Sequence, residues 1–135
     1  MATPKPRRAR SLATPARGRT ALAAFFRIAD LWQLNIDQQM RLLGLTAAST
    51  FYYWRKHPPE TLPRDTLERI SYVLGIYRAL QILFPDPRIA DGWIHRPNAA
   101  LPFGGRSALD RMLTGNVADL FVVRQYLDAQ RGGWA

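Results

Sequence analysis

Four polar residues near the middle of the chain follow the spacing of a single helical face. They occupy positions i, i+3, i+4 and i+7, which share one side of an α-helix. In chain order they are Ser49, Tyr52, Tyr53 and Lys56. Hydroxyl groups and an ammonium group can contact the phosphates and base edges of DNA. The face has no Arg, Asn or Gln, which recognise bases through paired hydrogen bonds. It therefore predicts contact with DNA without defining an operator.

The remaining ionisable residues do not have a spacing typical of catalysis or metal binding. The two histidines, His57 and His95, are too few and too far apart for a metal site or a catalytic triad. Asp91 and Asp110 have no second carboxylate at short spacing and no nearby nucleophile, so we interpret them as cap and surface charges. The chain has no cysteine, which excludes disulfides and thiolate ligands. We expect a protein that is not an enzyme and that holds no cofactor or metal.

Length and hydropathy limit the class of protein. The chain has 135 residues, 47% of them hydrophobic, which is enough for one compact domain or two very small ones. No apolar run approaches the roughly 20 residues that span a bilayer. The basic N-terminus is not followed by the apolar segment of a secretory signal. We therefore expect a cytoplasmic protein that does not contact a membrane.

The N-terminal segment 1–19 holds much of the positive charge. Six Lys or Arg residues lie there without an acid, and the formal net charge of the whole chain is +9. Pro and Gly are frequent and large apolar side chains are nearly absent, so we expect an unstructured basic arm. If every charge of the arm met a phosphate, log K would fall against log salt with a slope of about −5. A solubilising leader or an imprecise start codon explains the composition equally well, and a mitochondrial transit peptide is a distant alternative.

From residue 20 onward, apolar residues recur at helical spacing between short breaks. We predict a helix near 20–33, and a second from the capping pair Asn35 and Gln38 to Gly44. A longer helix is predicted from about residue 62 to the prolines near residue 85. Since no segment alternates apolar and polar residues as a strand does, the predicted fold class is all-α.

A third short helix is predicted from the capping candidate Thr46 to Lys56. With the helix before it and the Leu-Gly-Leu-Thr connection, it forms the outline of a helix-turn-helix, whose second helix enters the major groove. Thr46 thereby joins the polar face as a candidate DNA contact. This connection and the segment Ser-Thr-Phe-Tyr-Tyr-Trp-Arg-Lys that follows resemble the Xre-type helix-turn-helix. An ordinary helical corner is the alternative.

The C-terminal third has a distinctive order of residues. A Trp and a Pro-Asn pair precede a Gly-Gly turn, a short helix with Ser107 as its cap, a Gly, and a last helix that ends in Gly. These elements are Trp93, Pro97-Asn98, Gly104-Gly105, Leu109-Asp110, Gly115, Val117 and Gly132. Their order resembles the toxin-binding domain of Xre/MbcA/ParS-type antitoxins. Many relatives have proline where this chain has Ala108, which weakens the start signal of the short helix.

The resemblance covers about residues 20–135 and implies a partner. Antitoxins of this type pair with a RES-domain toxin, which consumes NAD+, and they cover its active-site cleft. They often bind their own promoter as homodimers. We therefore expect an antitoxin with autorepression as a second role. A stand-alone helix-turn-helix regulator, whose C-terminal half only dimerises, is the alternative.

The C-terminal tail is a candidate for entering the toxin's cleft. Gly132 and Gly133 give the tail freedom, Trp134 is a candidate anchor and Arg131 can pair with an acid. The carboxylate of Ala135 could occupy cationic groups that bind an anionic dinucleotide. The alternative is that the glycines only end the helix and the last residues fray.

Trp93 is a further candidate contact with the toxin, together with His95. A buried Trp beside a solvated His is the alternative. The predicted organisation is a basic arm over 1–19, an Xre-like domain over 20–86 and a toxin-binding domain over 87–135. The long helix before residue 85 has a broader apolar face than one neighbour needs, which favours a homodimer seam.

Overall fold

The protein is all-α, as the sequence predicts. The computed structural model describes residues 4–132, with side chains from residue 17 onward, and contains seven α-helices and one 3-10 helix in that range. In chain order they are α1 (Pro4–Leu31), α2 (Ile36–Leu43), α3 (Ala48–Lys56), α4 (Arg64–Leu83), α5 (Pro87–Gly92), the 3-10 helix (Trp93–His95), α6 (Ala108–Met112) and α7 (Val117–Gly132). Over the same range, β-pairing is limited to an isolated bridge between Pro97 and Ser107.

The first helix begins earlier than the sequence analysis expects. Residues 4–19, expected as an unstructured arm, form the N-terminal part of α1. Ala and Arg are frequent in this segment, and both favour helix. Extending an existing helix is also easier than starting one, because each added residue gains a hydrogen bond without a new nucleus. Residues 1–3 lie outside the described range.

Local capping signals are confirmed at two helices. At α2, the Asn35 side chain accepts a hydrogen bond from the Gln38 main-chain N–H at 2.8 Å, and the Gln38 side chain accepts from the Asn35 N–H at 2.9 Å. Gly44 ends the helix in the left-handed conformation, with φ 76°. At α6, Ser107 and Asp110 make the same reciprocal pair. Each pair satisfies N–H groups that a helix leaves free at its start.

Two helix starts differ from the prediction. The prediction that Thr46 caps α3 is wrong, because α3 begins at Ala48 and Ala47 occupies the cap position without a side-chain hydrogen bond. The Leu45 N–H bonds back to the Met40 carbonyl, which extends the end of α2 and leaves Thr46 one residue before the cap. The helix α5 was not predicted from the sequence, and Asp86 caps it by accepting from the Arg88 N–H at 3.0 Å.

The helix α4 joins the two halves of the molecule through one continuous core. It packs against α1, α2, α5 and α7. Each large apolar side chain removed from water contributes roughly 2 kcal/mol, so this shared packing is the main source of stability. The expected division at 86/87 therefore does not coincide with a gap in the core. Buried residues of the three main helices include Leu22, Phe25, Ile28, Ile70, Ile76, Leu80, Leu120, Val123 and Leu127.

One polar contact also links the C-terminal half to the residue that follows α1. His95 Nε2 lies 2.8 Å from the main-chain carbonyl oxygen of Trp32. Because a carbonyl only accepts hydrogen bonds, Nε2 carries the proton and donates it. None of the helices in the described range is both long enough and apolar enough to cross a membrane.

Candidate partner-binding and DNA-binding sites

The polar face predicted for DNA contact lies on the exposed side of α3. Tyr52 and Tyr53 are 54% and 62% exposed, and Ser49 and Lys56 are exposed as well. Phe51 points the other way and is fully buried in the core. Thr46 is exposed in the turn that precedes α3. The fold therefore brings the predicted DNA-binding residues to one accessible surface.

Arg55 is a neighbouring cation that the sequence analysis did not single out. Its guanidinium carbon lies 5.4 Å from the centroid of the Phe26 ring, a cation–π distance. Phe26 is held in turn by an edge-to-face contact with Phe51, with ring centroids 5.8 Å apart. Residues 38–59 contain no acid, and within the described part of the chain no ion pair involves Arg55 or Lys56. The absence of acidic residues from 38–59 is the feature of the sequence that could have indicated Arg55 as a DNA contact.

Three aromatic rings connect the C-terminal loop to α7. The Trp93 ring packs against Phe103 and Tyr126, with centroid distances of 5.9 and 6.3 Å, and Phe103 lies 5.2 Å from Tyr126. Phe103 is buried, whereas Trp93 and Tyr126 are half-buried. Trp93 is therefore neither a fully buried core residue nor a free surface side chain. It packs on one side and leaves the other side accessible.

The accessible side of this cluster lines a groove of about 1000 Å³ between the end of α4 and the last turns of α7, here called the α4–α7 groove. Three of the predicted toxin contacts, Trp93, Arg131 and Gly132, line it together. The predicted contacts Gly133, Trp134 and Ala135 lie outside the described residues. Apolar lining comes from Ile82, Leu83, Phe84, Tyr126 and Leu127.

Arg124 and Arg131 share one carboxylate in the α4–α7 groove. Arg124 Nε lies 3.1 Å from Asp128, and Arg131 Nη1 lies 3.8 Å from its other oxygen. All three side chains are more than a third exposed, so each ion pair contributes little to stability. The guanidinium groups are therefore able to exchange Asp128 for a partner's carboxylate at small cost.

A network of side-chain hydrogen bonds holds the loop before α6 and the start of α7 in place. Thr114 Oγ1 donates a hydrogen bond to Asp119 at 2.5 Å, and this bond is the largest influence that lowers the pKa of the Asp119 carboxyl. Arg111 lowers the same pKa through a hydrogen bond of 2.9 Å and its charge, while burial opposes the shift. Arg111 also donates to the Pro102 carbonyl oxygen at 2.6 Å, which ties the loop to α7.

Comparison with known protein families agrees with both halves of the structure. Residues 11–75 match the antitoxin Xre-like helix-turn-helix domain, and residues 79–133 match the antitoxin Xre/MbcA/ParS C-terminal toxin-binding domain. Fold and sequence together define a helix-turn-helix antitoxin of a toxin–antitoxin system. The chain belongs to the Xre/MbcA/ParS antitoxins, and its C-terminal half carries a toxin-binding domain. The predicted resemblance is confirmed.

The curated relative "Uncharacterized protein y4oB" of Sinorhizobium fredii (strain NBRC 101917 / NGR234) is 57% identical over 112 residues, which is 83% of this chain and 84% of the relative. No solved structure matches the chain. The two family matches meet between residues 75 and 79, inside α4. This position agrees with the packing of α4 against helices of both halves.

Proposed function

We propose that this antitoxin neutralises a NAD+-degrading RES-domain toxin by covering the toxin's active site. The observation that carries the proposal is the α4–α7 groove, where Trp93, Arg131 and Gly132 meet within the segment of the toxin-binding family. The groove combines a half-exposed aromatic ring, aliphatic side chains and two arginines. Aromatic and Arg residues at a partly desolvated surface are typical anchors of protein interfaces. The proposed role is binding and occlusion, without a catalytic step.

The tail that follows the groove gives this proposal a mechanism. α7 ends at Gly132, which lines the groove, and Gly133, Trp134 and Ala135 follow it in the sequence. With Trp134 as an apolar anchor, the tail would occupy the toxin's cleft and compete directly with NAD+.

The first test is whether a neighbouring reading frame encodes a RES-domain protein, and the second is co-expression with that protein. We expect a stable complex and restored cellular NAD+ with the full chain. Removal of residues 131–135 should abolish protection while the helices stay folded, as judged by circular dichroism. Full protection by the shortened chain would rule out the tail mechanism.

A matched pair of variants tests the groove itself. Ile82 lines the groove and is 55% exposed, whereas Ile89 is 43% exposed on α5 and does not line it. Ile82→Asp should weaken toxin binding at least tenfold, because a carboxylate would be buried at the interface (about 1.4 kcal/mol per decade). Ile89→Asp should bind as the parent does. Equal behaviour of the two variants would exclude the groove as the contact.

We also propose that the α3 face binds promoter DNA and supports autorepression. Two features support this second role. The hydroxyl groups of α3 are exposed, and Arg55 and Lys56 lie in a segment without acidic residues. The toxin-binding part over 87–135 and the DNA-binding part over 20–86 would then act in a homodimer, which light scattering of the purified protein measures. The alternative is a stand-alone regulator. It is favoured if the protein shifts its upstream DNA yet forms no complex with the neighbouring toxin.

A further inference from the structure

A second groove runs between α1 and α4 and has a different chemical character. It encloses about 820 Å³ and is here called the α1–α4 groove. Its apolar lining comes from Ala21, Leu67, Ile70 and Leu74. Three arginines, Arg17, Arg78 and Arg124, border it, and none of the described residues that line it is acidic. The groove therefore combines an apolar surface with arginines and no acidic lining residue among those described.

Two of these arginines have no carboxylate partner among the residues that the structure describes. Within the described part of the chain, no ion pair involves Arg17 or Arg78, and both side chains are exposed. By contrast, Arg19, two residues from Arg17, pairs with Glu60 at 3.3 Å. The contrast matters because most arginines of the described surface are paired within the chain. Free guanidinium groups beside apolar surface are able to bind carboxylates from another molecule.

The apolar lining and the arginines of the α1–α4 groove together favour one kind of ligand. Apolar side chains of a ligand can cover Leu67 and Leu74, while acidic side chains reach the arginines on the border. A nucleic acid would supply the charge but would leave the apolar surface without a matching group. Along α4 the lining extends from Leu67 to Ile82, about 22 Å at the helical rise. That length suits an amphipathic helix of about four turns with acids along one side.

The α1–α4 groove is continuous with the α4–α7 groove. Ile82 and Arg124 line both of them. A partner seated on the C-terminal half therefore reaches the second groove without crossing free surface. The shared residues also explain why α4 belongs to both halves of the protein, since one interface would use its whole length.

We infer that the α1–α4 groove receives an acidic amphipathic helix of the toxin, so that the toxin interface extends from α7 across α4 to α1. The inference rests on the proposed function, because it takes the toxin as the partner. It adds contacts at Arg17, Leu67 and Leu74, which lie outside the segment that the toxin-binding family covers. The chemistry it requires of the toxin is a helix with carboxylates beside a row of apolar side chains.

The experiment measures the affinity of the full-length protein for the purified toxin. The variants are Arg17→Glu, Arg78→Glu and their combination. Arg27→Glu is the matched control, because Arg27 is an exposed arginine of α1 that does not line the groove. We expect each groove variant to raise the dissociation constant about tenfold and to reduce its salt dependence, with no change for the control. Ser71→Tyr, which fills the groove without changing charge, should weaken binding as well. Circular dichroism and melting temperature verify the fold of each variant.

Each outcome decides one proposal. If the parent protein does not bind the toxin, the proposed function fails. If the parent binds, and Ile82→Asp weakens binding while the groove variants match Arg27→Glu, the inference is overturned and the proposed function stands. A loss of DNA affinity alone would make nucleic acid the occupant, and a loss of dimer mass alone would make it a second copy. Either result overturns the inference. A charge swap tests the inference further. If Arg78→Glu weakens binding and a toxin variant with Lys in place of the facing carboxylate restores it, the inference is supported.

Discussion

The guanidinium group of Arg124 on α7 lies against Gly75 on α4, in the volume that a Cβ atom at position 75 would occupy. This contact lets α7 approach α4 closely and fixes Arg124 where the two grooves meet. Glycine inside a helix is about 1 kcal/mol less favourable than alanine. The close approach of Arg124 gives a structural reason for a glycine at this position.

Gly75→Ala separates stability from binding. We expect an unchanged or slightly higher melting temperature, because the helix gains up to about 1 kcal/mol while the flexible end of Arg124 moves aside. Toxin affinity should fall, since the displaced guanidinium no longer lies between the grooves. Gly92→Ala is the control, because its Cβ would meet Arg96 Nη2 at an ordinary 3.6 Å. A strongly lowered melting temperature with Gly75→Ala would contradict the expected movement of Arg124.

Gly18→Ala should behave in the opposite way. Gly18 is buried on α1, and a Cβ atom there would overlap the main-chain carbonyl of Glu60, with the Thr61 Cα at 3.1 Å. Main chain cannot rotate away as a side chain can, so we expect a loss of about 1–3 kcal/mol in the free energy of unfolding. Urea denaturation measures it. Thr20→Ala, at an exposed position of the same helix, should change stability little. Equal stability of the two variants would mean that α1 does not approach this segment.

The Asp119 network predicts a pH-dependent contribution to stability. The folded pKa of Asp119 lies below its ordinary value of 3.8, mainly because Thr114 donates a hydrogen bond to the carboxylate. A lowered folded pKa gives stability that is fully present above the unfolded pKa and is lost as pH falls through the folded value. Thr114→Val should therefore cost about 1 kcal/mol at pH 7 and much less below the folded pKa. Denaturation at both pH values measures this difference, and an equal loss at both would contradict it.

Arg55 gives a prediction for DNA binding that can be read from salt dependence. Arg55→Gln should reduce the slope of log K against log salt by about one, the value of one phosphate contact. Phe26→Leu removes the ring 5.4 Å from the guanidinium but keeps the charge, so it should weaken binding with little change in slope. Arg88→Gln, on α5, is the control. An unchanged slope for Arg55→Gln, with parental DNA binding intact, would place Arg55 outside the contact.

Sequence alone was sufficient where a few adjacent residues decide the structure. The capping pair of Asn35 and Gln38, the left-handed Gly44 and the cap at Ser107 are local hydrogen-bonding events, and all were predicted correctly. The family could be recognised because its order of Trp, Gly and helix signals is also a linear pattern. Thr46 was mistaken for a cap because the choice between it and Ala47 depended on how far the end of α2 continued.

The sites were determined by tertiary structure. Trp93 and Arg131 are distant in sequence, and only the packing of α7 against α4 brings them to one groove. Arg55 required the Phe26 ring from α1, and Arg124 required the missing Cβ of Gly75. Periodicity assigns a side chain to a face of its own helix, but it does not specify which other helix that face meets. The sequence by itself therefore determined the helices and the family. The two grooves were determined by side-chain packing between helices that are distant in sequence.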